Sequence, residues 1–148
     1  DWSSDVCSSD LNEGRIGTMQ SPELNNTIQV ATPPQFPQGV EGVWSPEHLF
    51  TAAVSSCFMT TFLAIAENSK LEFNSLHVQS SGKLEQVEGK FMITEVTLSP
   101  ALTIVHAKDE ERALRILQKS EAACLISNSI KSNVVLNPTI LVQEAAAQ

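Results

Sequence analysis

Cys7, Cys57 and Cys124 are the residues with the widest chemical range in this 148-residue sequence. Cys57 stands in Ser55-Ser56-Cys57-Phe58, and Cys124 in Ala122-Ala123-Cys124-Leu125-Ile126-Ser127-Asn128. An odd, sparse set is no disulfide framework, and a reducing cytoplasm is its default setting. To act as nucleophiles the cysteines need thiolate character, which comes from nearby positive charge or a helix N-terminus. Nine Lys and Arg stand against 17 Asp and Glu, a net charge of −8, so few cations are available. Arg15 is one candidate, with Gly14 and Gly17 letting the backbone approach another group closely. The bland alternative is that Cys57 and Cys124 are small buried hydrophobes, the default for the residue type.

Other chemistries lack their signatures. There is no phosphate loop and no dinucleotide glycine pattern. His48, His77 and His106 are far apart and form no helical pair, so neither a metal site nor a cofactor is expected. The acidic balance argues against nucleic acid or an anionic membrane as partner. The apolar run over residues 49–66 is interrupted by Thr51, Ser55, Ser56, Thr60 and Thr61, which predicts that it does not span a membrane. With no basic start leading into an apolar stretch and cleavage site, the expectation is a cytoplasmic protein.

The elements that must position these residues follow from pattern. Residues 1–11, DWSSDVCSSDL, show neither helix nor strand periodicity and look like a foreign remnant or a disordered tail. They are set apart from the fold, Cys7 with them, leaving residues 12–148 as one domain. Residues 14–17 form a turn or strand edge, residues 28–31 a short strand, and the Pro/Gly-rich residues 32–42 a loop. Ser45-Pro46-Glu47 starts a helix: Ser45 caps, Pro46 fits the first position, and Glu47 suits the positive end. It runs to about Asn68. Its apolar residues cover most of its circumference, so burial on nearly every side is expected, with a second protomer as cover.

Residues 74–87 and 91–105 read as strands joined by a Glu88-Gly89-Lys90 turn. Val96, Leu98, Leu102 and Ile104 share one parity while Phe91 and Ile93 take the other, which predicts a bulge between them. A second helix starts at Asp109, carries the stripe Ala113, Leu114, Ile116, Leu117 and Ala123, and ends near Ala123. A short helical piece over residues 125–130 and a last strand over 132–142, weakened by Pro138, complete the chain. Clustered, hairpin-linked strands predict an α+β fold with antiparallel sheet rather than a doubly wound one.

Trp44-Ser45-Pro46-Glu47-His48-Leu49-Phe50, followed by Ala52-Ala53-Val54-Ser55-Ser56-Cys57, resembles the first motif of the OsmC/Ohr family, the osmotically inducible protein C-like and organic hydroperoxide resistance-like proteins. Cys124-Leu125-Ile126-Ser127-Asn128-Ser129 resembles its second cysteine motif, and the likeness extends over residues 13–142. The resemblance implies a thiol-dependent peroxidase that reduces organic hydroperoxides. It implies an α+β homodimer in which antiparallel sheets wrap the buried helices of two intertwined protomers, with active sites at the interface. By motif position it makes Cys57 the peroxidatic cysteine and Cys124 the resolving one. Glu47 matches the carboxylate of the first motif, and Arg15 the N-terminal arginine. Two departures stand out. Leu125 and Ile126 follow the second cysteine where many members have proline, and the foreign-looking segment replaces most of the strand that precedes the arginine.

In that role the Cys57 thiolate attacks a peroxide oxygen and becomes a sulfenic acid. Arg15, oriented by a bidentate pair with Glu47, stabilises the thiolate and the charge on the peroxide oxygens. Cys124 then closes a disulfide that a dithiol or thioredoxin-like reductant reopens. Phe50, Phe58 and Met59 are apolar neighbours that would favour an organic substrate. Ten positions separate Glu47 from Cys57, roughly 15 Å along an unbroken helix. Either the helix breaks near Ser55-Ser56, or Glu47 and Arg15 reach Cys57 from the other protomer. The alternative function is a non-enzymatic member of the family that binds a small lipophilic molecule.

Overall fold

A computed structural model describes residues 7–143. The chain divides into two compact units, the first ending at Phe50 and the second beginning at Thr51.

In the first unit, β1 (Ser8–Glu13), β2 (Ile16–Gln20) and β3 (Ile28–Ala31) form an antiparallel sheet in the order β1-β2-β3. The segment set apart on sequence grounds therefore enters the sheet from Ser8 onward, pairing Ser8 with Gln20 and Leu11 with Gly17. All six β1 side chains are exposed, so no face is selected and no periodicity marks the strand. Its backbone groups make the ladder regardless. Arg15 lies at the turn between β1 and β2. After β3, the loop folds on itself through Phe36 N–H to the Pro33 carbonyl (3.1 Å) and Val40 N–H to the Thr32 carbonyl (2.9 Å). It returns to the sheet where Ala31 N–H meets the Trp44 carbonyl (2.8 Å).

Helix α1 (Pro46–Asn68) begins there and continues without a break into the second unit. Its end is a Schellman motif: Leu71 N–H bonds the Ala66 carbonyl (3.0 Å) and Lys70 N–H the Glu67 carbonyl (3.1 Å). Lys70 takes the left-handed position (φ 55°) usually given to glycine. The helix buries one i, i+4 stripe, Val54, Phe58, Phe62 and Ala66, while Met59 and Leu63 are 41% and 47% exposed. Burial on nearly every side is thus not reached within one chain. By length and composition alone α1 is also long and apolar enough to cross a membrane.

In the second unit, β4 (Phe73–Val87) and β5 (Lys90–Ile104) form a long hairpin over Glu88 and Gly89, both at positive φ (50° and 79°), which fits a type I′ turn. The expected bulge falls at Thr94: Lys83 pairs with Glu95, but Leu84 pairs with Ile93. Past it, Val96, Leu98, Pro100, Leu102 and Ile104 of β5 all turn into the core. α1 packs close to the sheet where β4 carries Gly82. A β-carbon there would lie 2.8 Å from Thr51 Oγ1.

A 3₁₀ turn (Ala107–Asp109) leads into α2 (Glu110–Ala123), which ends where expected. It buries Ala113, Ile116, Leu117 and Ser120, whereas Leu114 is half-buried and Ala123 exposed. Arg112 ties α2 to the end of α1 through the Ser69 carbonyl (2.5 Å). After α3 (Leu125–Asn128), the expected last strand is two, β6 (Asn133–Leu136) and β7 (Thr139–Val142), split at Asn137-Pro138. Both run parallel to β5, making the sheet mixed rather than antiparallel. The physical reason is that a strand reached through a helical crossover returns in the direction it left.

Candidate active site

Cys57 sits on α1, one position before Phe58, and is therefore turned off the core stripe and only half-buried. One turn on, Thr61 Oγ1 lies 3.9 Å from its sulfur. Cys124 is the hinge residue between α2 and α3 (φ −66°, ψ 117°) and is fully buried. Several bonds fix that hinge. Cys124 N–H bonds the Glu121 carbonyl (3.2 Å), Asn128 N–H bonds the Cys124 carbonyl (3.0 Å), and Asn128 Nδ2 donates to the Ala122 carbonyl (3.1 Å). Asn128 thus satisfies a carbonyl left open at the end of α2 while starting α3.

Cys57 and Cys124 are neighbours, close enough for each to influence the ionisation of the other. Burial pushes the Cys57 thiol up. Bonds to its sulfur from the Cys124 thiol, Ile126 N–H, Thr61 hydroxyl and Leu125 N–H outweigh that and hold it below its ordinary value. For Cys124, burial raises the thiol, and the hydrogen bond and charge of Cys57 raise it further, against a smaller opposing pull from the Ser127 side chain and N–H. The two thiols are thus pulled in opposite directions, the half-buried Cys57 down and the buried Cys124 up. The groups that lower Cys57 are neutral donors. Two of them are backbone N–H groups of the second motif, whose role no side-chain reading of Leu125 and Ile126 reveals. Thr61 was detectable only by its i+4 spacing from Cys57.

Arg15 is exposed, and its Nε donates to Gln38 Oε1 at 2.8 Å. Glu47 is half-buried, with Oε2 enclosed and without a hydrogen-bond partner. Among the described residues Arg15 and Glu47 form no ion pair, so the expected bidentate contact is replaced by the Gln38 bond. Nothing in the sequence singled out Gln38. Phe58 is enclosed in the core stripe, Phe50 is half-buried, and Met59 is largely exposed. No cluster of metal-binding side chains occurs among the described residues.

With this geometry in view, comparison with known proteins is informative. The family model described as OsmC-like protein matches residues 39–139, and the chain belongs to that family. The match includes Glu47, Cys57 and Cys124, while Arg15 precedes it. The chain is 29% identical over 128 residues to the uncharacterized protein YmaD of Bacillus subtilis, covering 84% of this chain and 83% of that protein. An OsmC-like protein of unknown function from Vibrio cholerae has the same fold, with a TM-score of 0.82 at 24% identity over 92% of this chain and 99% of that one. So do an organic hydroperoxide resistance protein from Elizabethkingia anophelis (TM-score 0.76, 23% identity, 97% and 99% covered) and OhrB of Bacillus subtilis (0.68, 21%, 93% and 97%).

Proposed function

We propose that the protein is a thiol peroxidase that reduces organic hydroperoxides, with Cys57 as the attacking thiol and Cys124 as the resolving one. The observation that carries this reading is the pairing itself, a half-buried Cys57 on α1 beside a fully buried Cys124 at the α2–α3 hinge, one thiol to attack and one to resolve. Hydroperoxide resistance in the names of two structural relatives agrees with it. The Cys57 thiolate attacks the terminal oxygen of ROOH, the O–O bond breaks, and the alkoxide leaves and takes a proton. The products are ROH and a Cys57 sulfenic acid. The Cys124 sulfur then displaces hydroxide from that sulfenic acid, releasing water and closing a Cys57–Cys124 disulfide. A dithiol or thioredoxin-like reductant in a reducing compartment returns two electrons and two protons by exchange.

Neutral donors favour the thiolate but do not neutralise charge developing on the peroxide oxygens, which is the role left for Arg15. Because α1 is unbroken, Glu47 stands roughly 15 Å along the helix from Cys57 of the same chain. On this reading Arg15 and Glu47 serve Cys57 of a second copy. A homodimer also gives the uncovered apolar residues of α1 a partner, and the enclosed Glu47 Oε2 awaits a donor such as a guanidinium. Phe50, seven residues before Cys57 on the same helical face, and the exposed Met59 would meet the organic part of the substrate.

The test is turnover of cumene hydroperoxide with a dithiol. Cys57→Ser should abolish it and Arg15→Ala should slow it by about 10²- to 10³-fold, the usual loss for one oxyanion donor. Full activity in Cys57→Ser would falsify the reading, and an unsubstituted protein without turnover would leave the lipophilic-ligand function in its place.

A further inference from the structure

We propose that His48 is a positioning residue for Glu47, its imidazole closing a reciprocal cap with Ser45 that fixes the first turn of α1. The proposal rests on the peroxidase reading of Glu47. Ser45 is fully buried, and its Oγ accepts the His48 N–H at 3.2 Å. In return, Ser45 N–H donates to His48 Nδ1 at 3.1 Å. A capping box normally draws the second acceptor from glutamate or glutamine at this position. Here a ring nitrogen fills it.

The geometry fixes the tautomer. Nδ1 offers a lone pair only when it carries no hydrogen. With the Ser45 N–H aimed at it, the ring hydrogen belongs on Nε2; the Ser45 hydroxyl lies 2.7 Å from the same nitrogen. Pro46 brings no N–H, and the first regular helical bond runs from Leu49 N–H to the Ser45 carbonyl at 3.0 Å. The Trp44 ring stands edge-on to the imidazole at 6.0 Å and 81°. Glu47 lies between the two arms of this clamp. One of its oxygens is enclosed without a hydrogen-bond partner. Glu47 therefore starts from a backbone turn whose conformation Ser45 and His48 set from either side.

Two measurements decide the matter. In 15N NMR of the full-length reduced protein, His48 Nδ1 should resonate as an unprotonated acceptor and Nε2 as a protonated nitrogen at neutral pH. The opposite assignment, or a mixture of tautomers, overturns the proposal. In cumene hydroperoxide turnover, His48→Ala should lose about tenfold in rate, in line with a lost cap. His48→Gln, whose side-chain oxygen can accept the Ser45 N–H, should recover most of it. Equal activity in all three proteins, or a glutamine variant no better than alanine, contradicts the positioning role. If His48→Ala fails to fold, the tautomer and the activity of His48→Gln still decide. Failure of the peroxidase reading is distinguishable, because it shows as no turnover in the unsubstituted protein or as turnover that survives Cys57→Ser, whatever the tautomer of His48.

Discussion

At the residue scale, the contrast between Cys57 and Cys124 governs pH behaviour. On the proposed reading the attacking form of Cys57 is the anion, and its ionisation lies below the ordinary thiol value while that of Cys124 lies above. The rate of sulfenic acid formation should rise with pH and level off before an ordinary thiol would be fully ionised. Stopped-flow oxidation of Cys124→Ser isolates that step. The same variant, lacking its resolving thiol, should complete a single turnover and then over-oxidise to the sulfinic acid, read as two added oxygens at Cys57 by mass spectrometry. Normal multiple turnover with dithiol in Cys124→Ser would remove the resolving role. The sequence disclosed both cysteines and their motifs because the side chains themselves are the signal. It did not disclose what lowers Cys57, because two of the donors are main-chain N–H groups of Leu125 and Ile126. Their aim depends on the hinge at Cys124, and every residue type carries such a group.

At the element scale, α1 and the β4–β5 hairpin hold the second unit together. Phe62, fully buried and edge-on to Phe73 at 5.2 Å, should cost about 3–5 kcal/mol when replaced by alanine. Lys70 sits in the left-handed region, so Lys70→Gly should stabilise by roughly 0.5–1 kcal/mol, the relief of strain exceeding glycine's entropy in the unfolded chain. Both effects are measurable by urea unfolding. Local signals made these elements readable: Ser45-Pro46 for the start of α1, Glu88-Gly89 for the turn, and the parity change between Ile93 and Val96 for the bulge at Thr94. Tertiary choices left no such mark. β1 buries no side chain, and the parallel direction of β6 and β7 is set by the crossover through α2 rather than by their own residues.

For the whole molecule, the proposed site needs a second copy. Met59 and Leu63 are large apolar residues exposed on a helix whose opposite stripe is completely buried. Leu63→Lys should therefore dissociate a homodimer in sedimentation analysis and lower peroxidase activity with it, while leaving the helical circular dichroism unchanged. An active monomer would place the whole site within one chain and contradict the shared arrangement of Arg15, Glu47 and Cys57.

The central claim, a redox pair made of Cys57 and Cys124, is tested most directly by counting thiols. Added to the reduced protein without reductant, one equivalent of cumene hydroperoxide per chain should remove two thiols, leave Cys7 free, and yield a Cys57–Cys124 disulfide in peptide mass spectra. Retention of all three thiols, or oxidation that spares Cys57, would contradict the account.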